Sequence, residues 1–302
     1  MNNIIDCHSH YMPKEVAQNT AFFKVAWSDI NGQMAAMDSN GIEKALLLYP
    51  TSDAHIKMNG WKNVCKIYNA EIARVVKENN LRFIGAGIIP GDNEKDIIDE
   101  LKHIDGLGLK VLSVASSYNG RYLDDVMYDC VFEYASKNNV CLHVHPQIIG
   151  PIGEERVKDP LLSPVLEYVF DVTMSLGKLM MSGKLLKYAD VKLIFAHYGG
   201  VLPFVAERFD NTYLMLRRRD FVKDLTKLPS QYFKNLYFDS SGCKSAGALA
   251  CMLEVADADH ILFGSDYPAN QNIEKSIEVI RKAQITDDQR SSILRSALFH
   301  TA

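Results

Sequence analysis

Ile4-Ile5-Asp6-Cys7-His8-Ser9-His10, followed by Tyr11-Met12-Pro13, carries two apolar residues into a pair of histidines spaced by one residue. Residues i and i+2 of a β-strand project from the same face, so one short strand can aim both imidazoles at a single point. A metal ion can use that geometry. A polar strand end would produce the same pattern, so the weight falls on whether other strands end likewise.

Working outward, the hydrophobic period alternates between strand-like and helix-like along the chain. Short apolar runs predict strands at Ile4–His8, Lys44–Tyr49, Arg82–Ile89, Gly108–Val114, Val140–His145, Val191–His197, Leu236–Asp239 and His260–Ser265. Amphipathic stretches between them predict helices at Gln33–Ser39, Trp61–Lys77, Glu94–His103, Leu123–Lys137, Ser163–Leu186, Val201–Leu216, Ala246–Glu254 and Ile273–Lys282. A last helix, Thr286–Leu298, opens with Thr286 and Gln289 in capping-box spacing. Eight strands alternating with eight helices predict an α/β (β/α)8 TIM barrel, with residues 1–302 as a single domain. An open doubly wound sheet is the competing arrangement, but no glycine-rich phosphate turn follows the first strand. The longest irregular stretch runs from Gln147 to Leu162 and holds Gly150, Pro151, Gly153 and Pro160. Loops of that kind often belong to sites.

Barrel sites gather where strands end. The first strand ends at His8 and His10, the fifth at His143 and His145-Pro146, the sixth at His197-Tyr198-Gly199-Gly200, and the eighth at Gly264-Ser265-Asp266-Tyr267-Pro268. Five of the nine histidines stand at strand ends, a concentration that chance strand ends do not readily give. Parity adds a further expectation. Leu262, Gly264 and Asp266 share one face, as do Leu193, Phe195 and His197, and if both faces are the interior all the candidates meet in one lumen.

Composition excludes several roles. A formal net charge of −4 gives no basic field for nucleic acid or an anionic membrane. No apolar run approaches the ~20 residues of a membrane span; the nearest, Val165 to Met181, is broken by Glu167, Asp171 and Lys178. Asp6, His8 and His10 fall where the apolar core of a signal peptide would begin. The six cysteines form no CxxC pair, which suits reduced thiols and a cytoplasmic location.

Taken together, the motifs Asp6-Cys7-His8-Ser9-His10, His145-Pro146, His197-Tyr198-Gly199-Gly200 with Pro203, Arg208-Phe209-Asp210-Asn211 and Gly264-Ser265-Asp266-Tyr267-Pro268 resemble the amidohydrolase superfamily. The similarity is to its amidohydrolase-2 branch of aminocarboxymuconate-semialdehyde decarboxylase-like proteins, and it extends over nearly the whole chain. The resemblance implies one divalent metal, Zn2+ with Mn2+ as the alternative, held by His8, His10, His145 and Asp266. It implies catalysis by His197 and Asp266, Asp266 serving both as ligand and proton carrier. It also implies a homodimer in which Arg208, eleven residues after His197, reaches a substrate carboxylate in the neighbouring active site. The implied activity is non-oxidative decarboxylation of a small unsaturated or aromatic carboxylic acid. The alternative on the same ligands is hydrolysis of an amide or lactone, or hydration. His143 is expected to support the site rather than ligate, Arg217, Arg218 and Arg219 to be a solvated helix end, and Arg121 to be a weaker anion-binding candidate. Two departures narrow the reading. Muconate-semialdehyde decarboxylases carry a long insertion with a substrate arginine after the first strand, whereas Tyr11 to Asn31 contains no arginine. Two-metal relatives need a bridging lysine or glutamate at the end of strand four, but Lys110 lies near its start, so one metal is favoured.

Overall fold

A computed structural model describes residues 3–23, 25–153, 159–219, 221 and 224–299. Eight parallel strands form one sheet: β1 Ile4–His10, β2 Ile42–Leu48, β3 Phe83–Gly87, β4 Val111–Ala115, β5 Cys141–His145, β6 Leu193–Phe195, β7 Tyr237–Asp239 and β8 Ile261–Leu262. They are hydrogen-bonded in chain order. The ring closes where Cys7 N donates to Phe263 O at 2.7 Å, Asp266 N to His8 O at 2.8 Å and His10 N to Tyr267 O at 2.7 Å. This is the expected TIM barrel.

Each strand leads to an outer helix: α1 Ile30–Asn40, α2 Trp61–Glu78, α3 Glu94–Leu107, α4 Asp129–Asn138, α5 Tyr168–Met181, α6 Leu202–Arg217, α7 Ala246–Leu253 and α8 Ile273–Lys282, with α9 Asp287–Leu294 last. Local chemistry sets their ends. In α2, Trp61, Val64, Cys65, Tyr68, Ile72 and Val75 are buried at helical spacing. Asn93 caps α3 by accepting from Asp96 N, and Gly108 ends it at φ 73°. Thr286 and Gln289 make the expected capping box, but α9 stops at Leu294. The helix expected over Ser163–Leu186 is divided into a π-turn at Ser163–Glu167, then α5, then a short helix at Lys184–Lys187 after Gly183 turns left-handed at φ 78°. Within the Gln147–Leu162 loop, residues 154–158 lie outside the described residues. The loop is pinned at Ile152, whose N–H donates to Asp171 of α5 at 3.1 Å.

The two faces of the sheet are told apart by their packing. Ile5, Cys7, Leu46, Leu48, Ile84, Ala86, Val111, Cys141, Ile194, Leu262 and Phe299 form one cluster, with Tyr237 against it. All eight strands contribute to it, which only a lumen permits. The alternate residues, among them Leu47, Leu142, Leu193, Phe195, Phe238 and Phe263, join the helices in the outer core. This corrects the parity expectation for the sixth strand. Ile194 points inward, so Leu193 and Phe195 face the helices, and His197 reaches the site by another route. The expectation for the eighth strand holds, since Leu262 is in the lumen.

No helix among the described residues is long and apolar enough to cross a membrane. All six cysteines are free.

Candidate metal centre

Cys7 and His8 are neighbours in sequence, yet both face the lumen. The register of β1 against β2 shifts between Asp6 and Ser9, spending one more residue in β1 than in β2. That bulge carries His8 and His10 inward above the apolar floor. Asp6 is left pointing the other way, where its carboxylate accepts from Ser265 N at 2.9 Å, Ser265 Oγ at 2.5 Å and His8 N at 3.1 Å. Burial pushes Asp6 up to about 7 against those hydrogen bonds. The clamp fixes the segment after β8 against β1, and Asp266 is the next residue along.

Three donor atoms then converge. His8 Nε2 and His10 Nε2 are 3.1 Å apart, and Asp266 Oδ1 lies 3.1 Å from His10 Nε2 and 3.5 Å from His8 Nε2. Tetrahedral ligands at about 2.0–2.1 Å from one ion stand roughly 3.3–3.4 Å from each other, so this spacing fits a shared cation. His145 completes the group, its ligand atom within 4.8 Å of those of His8 and His10. Its Nδ1 donates to Pro146 O at 2.9 Å, which leaves Nε2 as a free lone pair. Burial lowers His8 to about 4 and His145 well below the ordinary imidazole value, so both are neutral at physiological pH. Burial raises Asp266, but His10 and His8 outweigh it and hold the carboxyl below its usual range. The donor set of neutral imidazoles and one carboxylate suits a divalent metal.

His197 and Asp266 both follow the ends of their strands with left-handed backbones, φ 54° and φ 62°. Such a backbone costs a non-glycine residue roughly 1–2 kcal/mol. Hydrogen bonds hold each in place: His197 N donates to Asp239 Oδ1 at 3.1 Å, and Asp266 N donates to His8 O. The turn at residue 197 brings its ring to 5.3 Å from that of His8, between centroids. His197 Nδ1 lies 3.0 Å from Ser241 O, an obligate acceptor, so Nδ1 carries the proton and Nε2 is left free. Gly200 permits the chain to pass, since a Cβ there would lie 2.0 Å from the Val169 carbonyl.

His143 is set behind the ligands. Its Nε2 donates to Asp239 Oδ2 at 2.9 Å, and the same oxygen accepts from His8 Nδ1 at 2.9 Å. Asp239 and Ser241 were missed in the sequence, although Asp239-Ser240-Ser241-Gly242 ends a strand just as the other candidates do. Burial raises Asp239, but the charges and hydrogen bonds of His8 and His143 outweigh it and keep the carboxyl well below its usual range. Trp27, 5.5 Å from the His10 ring, and Phe23, 4.6 Å from Trp27, supply an aromatic side to the mouth. Arg208 stands away from this group, exposed on α6 and without an ion pair to any described residue. Arg217 pairs with Asp224 at 2.6 Å and Arg121 approaches Asp125 at 3.8 Å, both exposed.

Residues 5–297 match the sequence profile of the family described as Amidohydrolase. The chain belongs to the amidohydrolase family. Among its relatives is a 2-amino-3-carboxymuconate-6-semialdehyde decarboxylase from Dictyostelium discoideum, 27% identical over 208 residues, which are 68% of this chain and 56% of that protein. The chain thus spans about half the length of that relative. The fold of this amidohydrolase is shared with 5-carboxyvanillate decarboxylase from Sphingomonas paucimobilis (TM-score 0.85, 22% identity, 97% of each chain covered). It is shared also with a dihydroxybenzoic acid decarboxylase from Polaromonas, solved with manganese and 2-nitroresorcinol (TM-score 0.80, 22% identity, 97% and 95% covered).

Proposed function

We propose that this amidohydrolase is a metal-dependent, non-oxidative decarboxylase of a small aromatic or unsaturated carboxylic acid, a cytoplasmic enzyme working as one domain over residues 1–302. The convergence of His8 Nε2, His10 Nε2 and Asp266 Oδ1 carries this reading, supported by the decarboxylase activities of the relatives. His8, His10, His145 and Asp266 would hold one divalent ion. Zn2+ suits the donor set, and Mn2+ is present in the Polaromonas neighbour. The ion, when bound, polarises and neutralises the oxygens of an anionic substrate. The protein supplies the rest. His197 gives and takes a proton at Nε2, its ring steadied by Nδ1–H on Ser241. As the bond between the substrate carbon and its carboxylate breaks, the electron pair stays with the carbon, the proton joins it there, and CO2 leaves. Trp27 and Phe23 offer an apolar wall for a flat ring.

A carboxylate substrate calls for a cation, and Arg208 is our candidate, acting from a second copy of the chain. It shares a helix face with Phe204, four residues earlier and 73% exposed. Val165, Leu166, Phe170 and Met174 of the neighbouring segment are exposed too. Large exposed apolar residues mark association surfaces, and two copies pairing there would bring Arg208 to the partner. The test is to load the protein with Mn2+ or Zn2+ and assay CO2 release from 2,6-dihydroxybenzoate, 5-carboxyvanillate and 2-amino-3-carboxymuconate semialdehyde. Release from one of them is expected. Hydrolysis of an amide or lactone, with no CO2 from any acid, overturns the proposal.

A further inference from the structure

We propose that Asp239 is the positioning residue that ties the metal ligand His8 to the proton-transfer residue His197, so that one carboxylate sets the orientation of both rings. The inference rests on the functional roles proposed above, but its geometry stands apart from any substrate.

Asp239 closes β7 and is fully buried. Every direction around its two oxygens is taken by a donor. Oδ2 accepts from His8 Nδ1 and His143 Nε2, each at 2.9 Å. Oδ1 accepts from His197 N at 3.1 Å, Ser241 N at 3.0 Å and Ser241 Oγ. Two of these donors are backbone amides, which cannot reverse. An acceptor facing His8 Nδ1 fixes the proton there and turns the Nε2 lone pair toward the cation position. On the other side, Ser241 is held by two hydrogen bonds to Oδ1 and presents its Oγ at 2.8 Å and its carbonyl at 3.0 Å to His197 Nδ1. Ser241 Oγ also lies 3.0 Å from His8 Nδ1, so His8 is set by Asp239 directly with Ser241 beside it, and the His197 ring is set by Asp239 through Ser241.

The surrounding backbone also packs closely on both side chains. A Cβ on Gly242 would lie 3.1 Å from His197 Nδ1, and one on Gly264 would lie 2.8 Å from His8 Cβ. Both positions are glycine, so the chain packs directly against the His197 ring and against Cβ of His8. His143, at the far side of Oδ2, adds a donor that keeps the carboxylate from rotating toward His8 alone. An asparagine at 239 could not reproduce this arrangement, because one of its two atoms would turn N–H groups toward donors.

The test uses the metal-loaded enzyme and three readouts. Asp239→Asn should weaken Zn2+ or Mn2+ binding by about 10–100-fold, measured by chelator competition, and should lower turnover as well. Ser241→Ala removes an Oγ that stands 2.8 Å from His197 Nδ1 and 3.0 Å from His8 Nδ1 but keeps the Ser241 carbonyl on His197 and Asp239 Oδ2 on His8, so kcat should fall with KM little changed while metal affinity falls by less than in Asp239→Asn. In wild-type zinc protein carrying 15N-histidine, long-range 1H–15N spectra should show His8 and His197 protonated on Nδ1. A folded Asp239→Asn protein with wild-type metal affinity overturns the proposal, and so does a His8 proton on Nε2. If Asp239→Asn does not fold, the wild-type spectra and Ser241→Ala decide. Loss of metal affinity in Asp239→Asn with no CO2 released from any acid by wild type would sink the decarboxylase reading and leave the role of Asp239 intact.

Discussion

His10 and Asp266 are separated by 256 residues in the chain and by 3.1 Å in space, Nε2 to Oδ1. The contact joins the first strand to the loop after the last, at the place where the barrel closes. Asp266→Asn keeps the size of this side chain and removes its charge. Metal content should fall about tenfold or more, turnover by on the order of 10²–10⁴, and the far-ultraviolet circular dichroism should not change. Elemental analysis beside a CO2 assay checks this; full metal and full turnover would remove Asp266 from the site.

His197 should behave differently. Its hydrogen bonds go to Ser241 and Asp239, whereas Asp266 Oδ1 lies 3.1 Å from His10 Nε2 and 3.5 Å from His8 Nε2. His197→Ala should keep its metal and lose turnover by on the order of 10²–10⁴. Loss of metal in parallel with activity would make it a ligand instead.

Arg208 is exposed, so Arg208→Ala should leave folding stability within about 0.5 kcal/mol of wild type while raising KM for a carboxylate substrate. Mixed dimers give a sharper result. Combining Arg208→Ala subunits with His197→Ala subunits should restore one working site per hybrid if the arginine serves its partner. Inactive hybrids would place Arg208 in its own site, and an Arg208→Ala homodimer as active as wild type would place it outside catalysis.

Two buried groups should oppose each other as pH changes. His8 falls from 6.5 to about 4 on folding, so it contributes stability above 6.5 that is lost as pH drops toward 4, roughly 3 kcal/mol in all. Asp6 rises from 3.8 to about 7, so its contribution is present below 3.8 and is lost as pH climbs through 7. Over the shared window the two largely cancel. Metal-free Asp6→Asn should therefore lose stability more steeply than metal-free wild type when acidified from pH 7 to 4.5, as read by denaturant unfolding. Parallel slopes would refute this.

The barrel was legible because each strand is a short apolar run with turn or cap signals beside it, as Asn138-Asn139 before β5 and Thr286 with Gln289 at α9. The candidate ligands were legible because strand ends in such a fold point to one mouth. Direction was less so. Simple alternation puts His8 on the opposite face from Cys7, and only the bulge in β1 lets both face inward. The same applies to His197, whose inward turn comes from a left-handed backbone that no local pattern announces. Asp239 escaped notice because its partners, His8 and His143, lie 231 and 96 residues away.

The apolar plug of Ile5, Cys7, Leu46, Ile194 and Phe299 has a bearing on traffic. Among the described residues these side chains form an apolar floor across the lumen, on the far side of His8 and His10 from solvent. In the proposed reaction, substrate and products would therefore share the opposite end of the barrel, and turnover would depend on the order in which they pass through it.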